Sequence, residues 1–425
     1  MQRKNSCLAR CLVVGGLLVA CSKPAPERFN TISIAALNDG AVVVIALERP
    51  RVFALRGLDH SGARSWQATV DCSSEPIVTT AADRIFAHCL AGGSGSNLQR
   101  ISAFAASDGR PLWKHDEKAS RVASTRRLTV VGDSVIAGGD DRALVLSAND
   151  GSLRLLYPSD QALRIPVVDG TTVAFLGLRP MVVIDTKSGK GATAEFVGSA
   201  CVAGGKLWVV HDNQLSTRPL ADLAAPAVVV ELGMNGGSPI WIDACGVYAD
   251  SPVLQLQVAS KTEMSLRIVR LDAQNSVTWE LNLGNGDTGH TALWWERSDA
   301  AGLNGDLPRF AILALHHYDT STLMLIDLQA GTTKPISGPI SDHDIVTVSV
   351  FRDRDEWFID DRAHLSAYLA TTGELRGQRE APFYPLTPGA VGPAQVWVSS
   401  QADVGFSALG RDLRDGTPVG TPRPK

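Results

Sequence analysis

The chain lacks the short motifs that announce a reaction. It has no His-Glu-x-x-His and no Gly-x-Ser-x-Gly, so neither a metalloprotease helix nor a nucleophile elbow is present. It has no Cys-x-x-Cys, which removes the commonest zinc-ligand spacing. Beyond Cys21 no stretch approaches the roughly 18 consecutive apolar residues that a membrane-spanning helix needs. Charges are scattered without long blocks of one sign and the formal net charge is -4, which offers nucleic acid no basic face. Sustained 3.6-residue periodicity is missing too. The one candidate helical turn, at residues 221–230, is interrupted by Pro226. What remains is 425 residues, 44% of them hydrophobic, enough for one large repeat domain or two to three ordinary ones.

Residues 1–20 carry Arg3, Lys4 and Arg10, then an apolar run from Leu12, and end in Leu18-Val19-Ala20 before Cys21. A basic head, a short apolar core and small residues before a cut site form an export signal. The apolar run is about half the roughly 20 residues that span a bilayer, which argues against a membrane helix. The segment resembles the lipobox of bacterial lipoproteins; a plain signal peptide with a coincidental cysteine is the rival. The resemblance implies lipidation of Cys21, with residues 21–29 as lipidated N-terminus and polar, proline-bearing tether. Ser22 follows the cysteine where an aspartate would favour inner-membrane retention, so the expected location is the outer membrane, facing the periplasm. Loss of the leader removes three positive charges and leaves the rest more acidic.

Of seven cysteines, Cys7 and Cys11 lie in the leader and Cys21 is reserved for lipid. The even remainder, Cys72, Cys89, Cys201 and Cys245, suggests two disulfides in an exported chain. The sequence-local pairing is Cys72 with Cys89 and Cys201 with Cys245. Export would tend to oxidise a catalytic thiol.

The rest of the chain is a series of short β-branched, aliphatic and aromatic runs, such as 42–47, 130–136, 207–210, 266–271 and 396–398, punctuated by Gly, Asp, Asn and Ser. Aligning the turns exposes a repeat of strand, turn, strand, strand, turn, strand. The final turns fall at Gly62, Gly109, Gly151, Gly189, Gly331, Gly373 and Gly416; Asn275-Ser276 occupies that slot before Trp279, and a degenerate unit with its turn at 223–226 lies between Gly189 and Asn275. A period of about 40–50 residues for four strands is that of a propeller blade.

These turn segments resemble the quinoprotein-type, PQQ-like repeat, roughly Ala-x-Asp-x-x-Thr-Gly-x-x-x-Trp. Asp185 with Gly189, Asp327 with Gly331, and Asp412 with Gly416 match its Asp-to-Gly step. Thr372-Gly373 matches the turn, with Ala367 in the alanine slot; Gly62 to Trp66 and Gly109 to Trp113 match the Gly-x-x-x-Trp step, with Ala103 in the alanine slot of the second. The resemblance implies an all-β fold, a single β-propeller over residues 30–420 with a short tail at 421–425. Eight four-stranded blades are expected, within a range of seven to nine. Each exit-strand tryptophan is expected to fill the gap between blades.

Enzymes of this repeat class bind a quinone beside calcium and often carry adjacent cysteines. This chain has no Cys-Cys pair and no Cys-x-x-Cys-His, so it reads as scaffold without quinone. Asp353, Asp355, Glu356, Asp360 and Asp361 are interleaved with Arg352, Arg354 and Arg362, the pattern of a solvated turn rather than a calcium loop. His316-His317 on one strand would point to opposite faces, and Asp342-His343-Asp344 adds no closed ligand set. No catalytic residue, metal site or cofactor is therefore expected. Trp294-Trp295 is the candidate binding feature, because an exposed tryptophan is a common anchor. The functional expectation is a non-catalytic, lipid-anchored envelope propeller that presents loops or a blade edge to envelope proteins. In size and anchoring it resembles propeller lipoproteins of outer-membrane β-barrel assembly. The alternatives are an enzyme using the central channel, quinoprotein-like or hydrolytic, and a ligand- or carbohydrate-binding envelope protein.

Overall fold

Short turns of Gly, Asp and Asn leave this chain few ways to bury its apolar runs except antiparallel pairing with the next run. In a computed structural model of the chain, 36 strands form nine four-stranded antiparallel sheets among the described residues, each built from four consecutive strands. The structure describes residues 30–419 apart from connections within that span, the longest being 119–126, 295–306, 337–348, 381–389 and 411–417. Residues 1–29, with the leader and Cys21, and residues 420–425 lie outside the described residues. We number the sheets as units 1–9 in chain order, from Asn30–Leu37 in unit 1 to Pro418–Val419 in unit 9.

The count of nine corrects the expected eight and lies at the top of the expected range. Two features account for it. The terminal units each use their own four strands, so no sheet is shared between the chain ends. The degenerate segment is also a full unit: Ser199–Ala203, Lys206–His211, Gln214–Pro219 and Val228–Val230 pair in order, with turns rather than a helix at 220–225.

Burial follows position within the unit. Middle strands are covered on both faces: Phe53–Leu58 and Ser134–Gly138 are buried at every position. Fourth strands alternate, as Pro111–Lys118 and Leu153–Pro158 do, because they form the outer edge of a sheet. The first strands of units 1 to 6 touch in succession, those of units 8 and 9 also touch, and Asn30–Leu37 meets Ala390–Val391 and Gln395–Ser399, which closes the ring. The core is therefore a series of inter-unit layers. Val42, Val44 and Leu55 pack on Ile85, Ala87 and Phe104 between units 1 and 2. Phe86, Ile101 and Ala103 pack on Val135, Ala137 and Leu144 between units 2 and 3. Each fully buried side chain of this size contributes on the order of 1.5–3 kcal/mol.

The repeat consensus has a direct structural cause. Trp66, on the fourth strand of unit 1, lies over Gly109 in the last turn of unit 2, where a Cβ would come to 2.3 Å from the ring. Its indole N–H donates to the Ala106 carbonyl at 3.0 Å. Trp113 repeats this on unit 3, over Gly151 and donating to the Ala148 carbonyl at 3.0 Å. Trp279 lies over Gly331 of unit 7. Gly109 and Gly151 have φ of +69° and +71°, a conformation that only glycine adopts without strain. Asn275, in the turn before Trp279, takes the same left-handed conformation at +66°, which its side chain tolerates.

Cys72 is joined to Cys89 with Cα atoms 5.8 Å apart, tying the connection after unit 1 to the second strand of unit 2. Cys201 is joined to Cys245 with Cα atoms 6.2 Å apart, stapling the first strands of units 5 and 6.

Candidate functional site

In units 3 and 4 the turns that join first to second and third to fourth strands lie close together. Between units 3 and 4 they surround a cleft of about 670 Å³. Val131 ends the first strand of unit 3, Gly132 and Asp133 form the turn after it, and Arg154 comes from the fourth strand. Gly170 and Thr171 come from the first turn of unit 4; Thr186, Lys187 and Ser188 come from its last turn.

Hydrogen bonding fixes most of the wall. The Arg154 guanidinium donates to both oxygens of Asp133, at 2.8 and 2.7 Å, and to the Ser134 hydroxyl at 2.8 Å. This arginine holds the Asp133 carboxyl below the ordinary carboxylate range. Asp185 accepts from the backbone N–H groups of Lys187 at 3.0 Å and Ser188 at 3.3 Å, and from the Thr171 hydroxyl at 3.2 Å. Hydrogen bonding from Ser188, followed by the Lys187 N–H, lowers its pKa. The Thr186 hydroxyl donates to the Thr171 carbonyl at 2.8 Å. Both carboxylates thus shape turns. Among the described residues no group of three His, Cys, Asp or Glu side chains is placed to hold a metal ion. The cleft is lined by turn residues of both units, with the Thr171, Thr186 and Ser188 side chains, Lys187 and the Arg154 side chain in its wall.

Residues singled out in the sequence are dispersed. Trp294 ends the first strand of unit 7, Ala292–Trp294, and pairs with Ile312; its side chain and Trp295 lie outside the described residues. Asp353 and Glu356 face each other across the first hairpin of unit 8 and Asp360 ends its second strand, while Asp355 and Asp361 lie outside the described residues. His316 and His317 end the second strand of unit 7; residues 342–344 lie outside the described residues.

Two features escaped sequence reasoning. Trp241, on the first strand of unit 6, is 41% exposed although tryptophan on a strand normally reads as core. The cleft also escaped it. Its sequence signal is Leu155, which stands four residues after Gly151 where Trp66 and Trp113 follow Gly62 and Gly109.

The ring of four-stranded units, with tryptophans docked on turn glycines, defines the protein class: a β-propeller of PQQ-like repeats. The family model described as outer membrane protein assembly factor BamB matches residues 22–243 and, in a second overlapping alignment, residues 97–377. The chain belongs to that family. No curated protein matches it in sequence. Among solved structures it is similar to BamB from Moraxella catarrhalis, at 14% identity over 90% of this chain and 99% of that one, with a TM-score of 0.41. Apo AztD from Citrobacter koseri is 12% identical over 84% and 96%, with a TM-score of 0.45. The uncharacterized protein lmo1340 from Listeria monocytogenes EGD-e is 9% identical over 87% and 96%, with a TM-score of 0.46.

Proposed function

We propose that this protein is a lipid-anchored envelope propeller that acts as a protein-interaction scaffold in outer-membrane protein assembly. The observation that carries the reading is the family match, which begins at residue 22, beside Cys21, and runs through the repeats to residue 377. In this reading residues 1–20 are removed on export, Cys21 carries the lipid, residues 21–29 form the tether, and the propeller faces the periplasm. The turn faces and outer strands then meet protein partners of the envelope. The hydrogen-bonded carboxylates of the cleft fit a rigid presenting surface, since Asp133 and Asp185 are both engaged in holding turns. The test is an affinity pull-down of the full-length protein from its own envelope, beside a Cys21→Ser form. Recovery of a defined envelope assembly, weakened in the unanchored form, is the expected result. A clean preparation without partners overturns the scaffold reading.

A further inference from the structure

The cleft between units 3 and 4 lies where two neighbouring junctions hold a tryptophan. The equivalences are set by strand register. Trp66 pairs with Gly57, Trp113 with Ala103 and Leu155 with Val145, each next to the same β-bulge between third and fourth strands. The acceptor carbonyls correspond as well. The amides of Ala106, Ala148 and Thr186 each donate to the first-turn carbonyl of their own unit, on Asp83, Asp133 and Thr171, at 2.8, 2.8 and 2.9 Å. Ala106 and Ala148 receive the indole N–H of the preceding unit. By register, Thr186 is their counterpart in unit 4.

Two replacements set this junction apart from the two before it. Leu155 presents a short aliphatic side chain where Trp113 presents an indole. At the start of the second strand, Arg84 of unit 2 reaches across to the Ala148 carbonyl and the Asn149 side chain, whereas unit 3 has the small, buried Ser134 in that position. Lys206 of unit 5 makes the Arg84-type contact, donating to the Asn275 side chain at 2.6 Å, so the cation recurs elsewhere in the ring. Tyr157, in the junction between units 3 and 4, docks further along the strand, over Gly191. The turn end is left open, walled by Val131 on one side and by the Arg154 guanidinium on another.

We propose that this slot takes a tryptophan side chain from a partner polypeptide. The indole N–H donates to the Thr186 carbonyl, as Trp113 donates to Ala148, and the ring face meets the Arg154 guanidinium, a favourable cation–π pairing. The molecule itself shows the chemistry, because Trp66 and Trp113 are held at the corresponding carbonyls in the two junctions before it. The inference rests on the protein-partner reading above and names the chemistry by which one partner is held.

The test uses the full-length chain and N-acetyl-5-fluorotryptophanamide, followed by its fluorine resonance. Saturable broadening with the wild type is expected, with N-acetyl-leucinamide a poor competitor. Leu155→Trp supplies the missing ring from within, and Thr171→Arg blocks the mouth from an exposed turn without touching the core. Each should weaken probe binding about tenfold or more. Broadening that survives in both variants, or equal competition by the leucine analogue, overturns the proposal. Self-association of the wild type that Leu155→Trp abolishes would place a second copy in the slot and also overturn it. Partner recovery is read by the pull-down and slot occupancy by the probe, so failure of one is distinct from failure of the other.

Discussion

Replacement of Gly151 by alanine tests whether indole docking holds adjacent units together. Gly151 has φ of +71°, so any Cβ meets a left-handed backbone penalty of roughly 1–2 kcal/mol. That Cβ would also sit 2.5 Å from Cε3 and 2.7 Å from Cδ2 of Trp113. The ring would have to move, straining its packing by roughly 1–3 kcal/mol and loosening its bond to the Ala148 carbonyl by about 1 kcal/mol. The expected total is roughly 3–6 kcal/mol from these sources. Gly132 provides the control. Its φ is +57° and no atom lies within 4 Å of its notional Cβ, so Gly132→Ala should show the backbone penalty alone. In a Trp113→Ala background the overlap vanishes, and Gly151→Ala should then cost about what Gly132→Ala does. Urea unfolding followed by far-ultraviolet circular dichroism across this double-mutant cycle should give a coupling of about 2–4 kcal/mol. Equal losses for the two glycine variants, or additivity within about 0.5 kcal/mol, would refute the docking account.

Three further outcomes are expected. Removing the disulfide between Cys201 and Cys245, which closes a separation of 44 residues, should lower stability by about 4 kcal/mol, against about 3 kcal/mol for Cys72 and Cys89 at a separation of 17. Paired serine variants in urea melts measure both, and a smaller loss at the longer loop would contradict the loop-closure estimate. Stability should fall on acidification, because Asp150 is depressed to about 2 by the Ser152 amide and hydroxyl, and Asp185 and Asp327 are also lowered. Groups with a depressed folded pKa stabilise fully above the unfolded value near 3.8 and lose that contribution as pH falls through the folded one. A urea midpoint that stays flat from pH 5 to about pH 2 would rule this out. Finally, Arg100 is buried and paired with Asp116 at 2.6 Å and with Asp71, so Arg100→Ala should destabilise by about 3 kcal/mol and Arg100→Lys by less. Thermal melts of the two variants decide it, and equal behaviour would argue against the forked pairing.

Much of the architecture was legible in the sequence because its signals are local. The turns at Gly109, Gly151 and Gly331, the alternation of outer strands such as Leu153–Pro158, and the Asn275 substitute for glycine are properties of short segments. The cysteine pairing suggested by proximity is the one the structure contains. The candidate site was much less legible. Trp294 and Trp295 stood out because tryptophan is conspicuous, whereas the cleft lies where Leu155 holds the register position of Trp66 and Trp113, and Ser134 that of Arg84.

The sequence by itself determined the β class, the blade-length period and the turn chemistry, since each depends on residues within a few positions of one another. Only the tertiary structure decided that the described residues form nine sheets, that Trp66 rests on Gly109 and Trp113 on Gly151, and that the slot before Thr186 stands open. Those outcomes depend on contacts between neighbouring units, 38 and 43 residues apart in the chain, where the fit of one side chain is set by a backbone it does not adjoin.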